Sequence, residues 1–168
     1  MLYNTTNSSN SSFIASDGSG DKLDKIYINN SFSGYEIESL SGVLKQYNQS
    51  GMLVCIYTNI NDRNESGIWS DDASYITIEY DNDNFISKIM DSNNNYIDFY
   101  YSTYVNANPQ TNQINKKYLS EICVYKYDPT KPIAQRNILT ADLYFEYIAG
   151  NLIYIYKEKY SNNDMKYE

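Results

Sequence analysis

Histidine is absent from this chain, and that gap removes His-based triads, His general acid–base catalysis and most zinc or iron sites together. Cysteine is nearly as scarce. Cys55 and Cys123 are the only two, too few for a disulfide-stapled mini-scaffold and spaced unlike any zinc motif. Two buried, reduced thiols are expected, with a single bridge open only if their strands adjoin. Three prolines and seven glycines do little to break or swivel the backbone, so the many Asn between apolar runs must supply turns with positive φ. No apolar stretch approaches the roughly 18 residues of a membrane-spanning helix, and no basic region followed by an apolar one opens the sequence as a signal peptide would. Cations are the minority: 13 Lys and Arg against 21 Asp and Glu give a formal charge of −8. That is the wrong sign for nucleic acid or an anionic membrane surface. Neither a nucleic-acid partner nor membrane insertion is expected.

What the chain has in quantity is tyrosine, 20 residues against 5 Phe and 1 Trp. Tyrosine suits a half-buried pleated surface, where the ring packs and the hydroxyl stays wet. From Lys25 onward, apolar and aromatic runs alternate with Asn/Asp/Ser/Gly clusters, the pattern of strands and turns. It predicts strands at Ile26–Asn29, Tyr35–Leu40, Val43–Tyr47, Met52–Tyr57, Tyr75–Tyr80, Phe85–Met90, Tyr96–Tyr101, Tyr118–Tyr127, Leu143–Ile148 and Asn151–Tyr156. Longer loops fall at 59–74, 102–117 and 128–137, the last carrying Pro129 and Pro132, which cannot donate within a ladder. Residues 1–25 are rich in Asn, Ser and Gly and read as a flexible polar leader. The sequons at Asn4, Asn7 and Asn10 read as products of that composition. The remainder, 26–168, is long enough for a single β domain.

Internal periodicity is the strongest signal. Leu53, Ile86, Leu119 and Leu152 recur at a constant interval of 33 residues, and three residues after each stands Ile56, Ile89, Ile122 or Ile155. Two residues before each are Gly51, Asn84, Lys117 and Gly150, three of which suit a turn with positive φ. A tyrosine opens the unit as Tyr47, Tyr80 and, with one residue deleted, Tyr147; the third copy has Gln113 there. The units lie near 47–56, 80–95, 113–125 and 147–156. Each is a strand, a tight polar turn and a return strand. One such hairpin is marginal alone, so units must lie side by side and share a buried face.

Tyr80-Asp81-Asn82-Asp83-Asn84-Phe85-Ile86-Ser87-Lys88-Ile89-Met90-Asp91 resembles the YD repeat of Rhs-type bacterial shell and wall-associated proteins. Its pattern is Tyr-Asp, two residues, Gly, Arg, Leu, Thr, any residue, Ile or Val, Thr, Asp, Pro, any residue, Gly, which here runs on through Ser92-Asn93-Asn94. Tyr80, Asp81, Ile86, Ile89 and Asp91 match it, and Asn84 and Asn94 replace glycines with the next-best residue for a left-handed conformation. Tyr47 to Ile56 is a second copy with Asn48 for Asp, while Met52, Phe85, Tyr118 and Asn151 stand in place of the family's Arg. The resemblance implies an all-β fold: a curved, antiparallel sheet of repeated hairpins with open edges. It implies a structural, non-catalytic segment of a β-shell or cell-surface protein, part of a toxin-encasing or adhesion assembly. It is then secreted or held at the cell surface, as a fragment or orphan section whose partners are further repeats or a C-terminal effector of a longer chain. A module that binds surface glycan or protein through exposed tyrosines is the alternative.

Other candidate sites are weaker. Asp81-x-Asp83 and Asp91-x-Asn93-x-Asn95 have the early spacing of a calcium loop, but Ile86 or Tyr96 stands where an EF-hand needs Gly and Ser92 or Ser102 where it needs Glu, so hairpin-turn chemistry is expected. Asp71, Asp72, Glu79, Asp98, Glu121, Asp142 and Glu146 could supply a glycosidase pair only if two converge in a cleft. Acids scattered over solvent faces are the ordinary outcome. Trp69, beside two acids, reads as an anchor for its loop. No cofactor, metal or catalytic residue is expected.

Overall fold

Period-two alternation of apolar and polar side chains, broken by short polar clusters, gives thirteen strands and no α-helix among the described residues. The computed structural model describes residues 3–5, 12–15, 17–64, 68–104, 116–148, 150–161 and 164–167, and their side chains except at 3–5, 104, 116, 158–161 and 164–167. The strands are β1 (Tyr3–Thr5), β2 (Ser12–Ala15), β3 (Lys22–Ile28), β4 (Ser31–Glu38), β5 (Leu44–Asn48), β6 (Leu53–Tyr57) and β7 (Tyr75–Tyr80). After these come β8 (Ile86–Asp91), β9 (Tyr96–Tyr104), β10 (Lys116–Tyr127), β11 (Asn137–Ile148), β12 (Asn151–Ser161) and β13 (Asp164–Tyr167). Strand order is sequence order, an open antiparallel meander with β1 and β13 as its end strands. All-β hairpins are what the sequence pattern predicts. The chain divides into two compact units, Met1–Ile78 and Glu79–Glu168, where the sequence reading places one domain over 26–168.

In the first unit the described part of residues 1–25, read from composition as a flexible polar leader, includes strand residues. Of its described residues, 12–15 and 22–25 stand in β2 and β3, joined through a turn with Gly18 and Gly20 at φ +81° and +73°. The physical reason is cross-strand pairing of the few apolar residues present. Phe13 registers with Leu23, Leu23 registers with Ile37, and Ala15 is buried. Composition averaged over the segment hides that row.

Leu44, at the start of β5, has no exposed surface, a burial worth about 2 kcal/mol. Gly34 lies opposite Asn48 in β5, so close that a Cβ would sit 2.0 Å from the Tyr47 carbonyl oxygen; only glycine fits. The 59–74 connection is tied down by its own side chains. Trp69 stacks on Tyr57 with ring centroids 3.6 Å apart and planes 2° from parallel, and the Arg63 guanidinium lies 5.6 Å over the Trp69 ring. Arg63 Nη1 also reaches Glu36 Oε1 at 2.8 Å, and Gln46 Nε2 donates to the other Glu36 oxygen at 2.9 Å. Trp69 anchors this loop, as its position suggests.

In the second unit β11 begins earlier than the sequence predicts, because its pairing with β10 continues through Asn137–Asp142, while β10 begins at Lys116, where it pairs with β9. Val124 registers with Ala141 and Tyr125 with Leu139, leaving Thr140 as an extra residue whose hydroxyl donates to the Val124 carbonyl at 3.0 Å. A bulge absorbs the break in alternation along this stretch. The expected 102–117 loop lies largely outside the described residues, Gln113 with it.

Candidate functional site

The repeat positions share a backbone device. A three-residue interval puts two side chains on opposite faces of a regular strand, so Leu53 and Ile56 would not share a face without help. In β6, Leu53 registers with Tyr47 but Cys55 with Gln46, leaving Val54 as an extra residue; Ile56 then registers with Lys45. Partners 47 and 45 are two apart and lie on one face. In β10, Leu119 registers with Tyr101 and Ile122 with Phe99, the extra residue being Ser120. In β12, Leu152 registers with Tyr147 and Ile155 with Phe145, the extra residue being Ile153. Three copies therefore carry the same bulge, one residue after the leading leucine. For the remaining copy, Ile89 registers with Ile97, and the Ile86 carbonyl accepts from the Tyr101 hydroxyl at 2.8 Å.

Tight turns precede two of these strands. Asp81 N donates to the Phe85 carbonyl at 2.8 Å and Asn84 N to the Asp81 carbonyl at 3.0 Å, with Asn84 at φ +65°. The Asp81 carboxylate oxygen Oδ1 accepts from Asp83 N at 2.9 Å and Phe85 N at 3.0 Å. Asn48 does the same with its side-chain oxygen, accepting from Ser50 N and Met52 N at 3.0 Å each, with Gly51 at φ +79°. Asp91 repeats the arrangement toward Asn93 N and Asn95 N at 2.9 Å, with Asn94 at φ +63°. This is a type I turn closed by a left-handed residue, and the leading Asx satisfies two backbone donors that no strand partner reaches. Gly150 has φ +83° in the shorter hairpin between Ile148 and Asn151, which register with each other. Lys117 departs from the turn series. It lies in β10, and its ammonium reaches Asp81 Oδ2 at 2.5 Å and Asp83 Oδ2 at 2.8 Å, over the rings of Phe85 and Tyr101. The bond from Lys117 holds the Asp81 carboxyl below its ordinary range. Of the acids at calcium-loop spacing, Asp81 and Asp91 serve as turn acceptors, and Asp81 and Asp83 pair with Lys117.

A different group of side chains gathers on one face of β8–β12. Registers place Asp98 beside Cys123, Cys123 beside Asp142 and Glu121 beside Tyr144. The Cys123 thiol donates to Glu121 Oε1 at 3.1 Å and lies 3.6 Å from Asp142 Oδ1; the Tyr144 hydroxyl donates to Asp142 Oδ2 at 2.8 Å. Glu121, Cys123 and Asp142 offer ligand atoms within 4.8 Å of one another, the one such group among the described residues. Burial pushes the Cys123 thiol up to about 12, reinforced by the two carboxylates. A protonated thiol is a hydrogen-bond donor, whereas a metal ligand is a thiolate. Asp142 is only 2% exposed, so its pair with Glu121 does not open onto a cleft that would admit a sugar, as a glycosidase site requires. Both cysteines are buried free thiols.

Tyrosines surround this group. Tyr96 stacks with Tyr125 at 4.6 Å and Tyr144 with Tyr156 at 5.3 Å, while Tyr100 and Tyr154 are 46% and 60% exposed. The alternation of Glu121, Cys123 and Tyr125 was legible in the sequence as one strand face. That Asp142 joins it depends on pairing across β10 and β11, which no local pattern shows.

No family model and no curated protein matches the sequence. Among solved structures, the chain is similar to one in the crystal structure of TcdB2-TccC3-Cdc42, at 12% identity and a TM-score of 0.24, over 87% of this chain and 11% of that one.

Proposed function

We propose that this chain is a wall-building segment of a repeated-hairpin β-shell or cell-surface protein, and that it works as architecture without chemistry of its own. The recurring bulge at Val54, Ser120 and Ile153 carries this reading. It turns the Leu-x-x-Ile couple into a one-faced apolar pair at a fixed phase, so each hairpin presents the same side to its neighbour and the ribbon can be lengthened by repetition. Capped turns at Asn48, Asp81 and Asp91 hold the hairpin ends independently of any ligand. The partners on this reading are further repeats, or an effector C-terminal to them, within a larger secreted or surface-held assembly that encases a toxin or mediates adhesion.

Probing source cells with an antibody raised against this segment tests the reading. It expects a polypeptide much larger than 19.5 kDa in the medium or at the cell surface. A product of that mass confined to the cytosol would overturn it. So would glycosidase turnover abolished by Glu121→Gln.

A further inference from the structure

Charge on β9–β12 is sorted by face. Among the charged residues with described side chains there, Asp98, Glu121, Asp142 and Glu146 register onto one face. Lys117, Lys126 and Lys157 register onto the other, opposite Thr103, Ile138 and Leu143. The acidic face is also the tyrosine face. On it, one cation from β8 shows how an ammonium group is received: Lys88 Nζ lies 4.5 Å over the Tyr96 ring and 3.4 Å from Asp98 Oδ1. A ring face and a carboxylate together hold the charge.

From this geometry we propose that the neighbouring part of the face, Tyr100, Glu121, Tyr144, Glu146, Tyr154 and Tyr156, is a docking surface for an extended polypeptide segment bearing lysine or arginine. Tyr100, Glu121, Tyr144 and Tyr156 form one row across four strands, about 14 Å long at ordinary strand spacing. Glu146 and Tyr154 form the next row. Tyr100 in the first row and Glu146 and Tyr154 in the second are exposed, so the two rows together offer open ring faces and an open carboxylate, the combination that receives Lys88. Charge complementarity selects the occupant: a basic side chain satisfies both components, an acidic or neutral chain only the rings. A bare metal ion would leave the tyrosines without a role, and a polyanion such as nucleic acid is repelled. This inference is independent of the architectural reading, since a wall segment without a bound chain remains a wall segment.

The test is fluorescence anisotropy of a labelled alternating Lys-Gly peptide against the full chain, beside its Glu-Gly counterpart and a neutral oligosaccharide. Binding of the Lys peptide alone is expected, weakening about ten-fold as salt rises from low to high concentration. Glu121→Gln with Glu146→Gln is expected to weaken it about five-fold or more. Asp71→Asn with Asp72→Asn, removing equal charge from exposed loop positions of the other unit, leaves binding unchanged. Tyr154→Ala, at a side chain exposed enough to spare the fold, weakens binding as well. Equal binding of Lys and Glu peptides, preference for the oligosaccharide, or equal losses from the two double variants would overturn the proposal.

Discussion

The two compact units reach similar sheets by different means. The first contains one copy of the 33-residue unit, with its bulge at Val54 and its capped turn at Asn48, and adds features that occur once: the enclosed Leu44, the Gly34 backbone contact, and the contacts of Trp69 with Tyr57 and of Arg63 with Glu36. The second contains three copies and is held by features that recur, the post-leucine bulges and the Asx-capped turns. One-off devices concentrate stability at single residues. Repetition spreads it, so individual losses are smaller and additive at separated sites.

The sharpest way to break this contrast is Gly34→Ala. A methyl group there meets the Tyr47 carbonyl at 2.0 Å, forcing backbone to move, and about 3 kcal/mol or more of destabilisation is expected; a denaturant midpoint within error of the parent would refute it. Leu44→Ala follows at about 3 kcal/mol, read as faster amide exchange across β4–β6. In the second unit Asp91→Ala removes three hydrogen bonds accepted by its carboxylate in one turn and costs about 1 kcal/mol. Asp81→Ala should lower the midpoint further, since it also releases Lys117.

Acid and base sharpen the same picture with smaller effects. The native Asp81 carboxyl lies below its ordinary 3.8, so its contribution is complete above that value and disappears as pH falls through the native one. Asp81→Asn should therefore flatten the acid limb of a stability profile while leaving its neutral plateau lower. Lys117 is raised above 10.5 by its bonds to Asp81 and Asp83, so its contribution is present below that value and lost as pH climbs past it. Cys123, up at about 12 against an ordinary thiol near 9, favours the folded state below 9 and loses that advantage between 9 and 12. Folded protein at pH 8 should resist iodoacetamide at Cys123, with alkylation following unfolding; rapid native alkylation would contradict this burial.

Most of the strand pattern was legible because alternation and Asn-rich turns are local properties. Tyr75–Tyr80 has the predicted ends, and Asp81 to Asn84 forms the turn its residues suggest. The bulges were not legible. They appear only when Leu53 is set against Tyr47 and Cys55 against Gln46, a relation between strands that no single strand states. The same holds for β2 and β3, where Phe13 and Leu23 find each other inside an Asn- and Ser-rich segment, and for Asp142, which Cys123 meets from the paired strand.

The account stands most directly on the register after each leading leucine, which cross-strand Hα–Hα contacts in an NMR spectrum can read. The expected pattern pairs Cys55 with Gln46, Glu121 with Tyr100 and Tyr154 with Glu146, skipping Val54, Ser120 and Ile153. Unbroken pairing through those three residues would set the couples on opposite faces and contradict it.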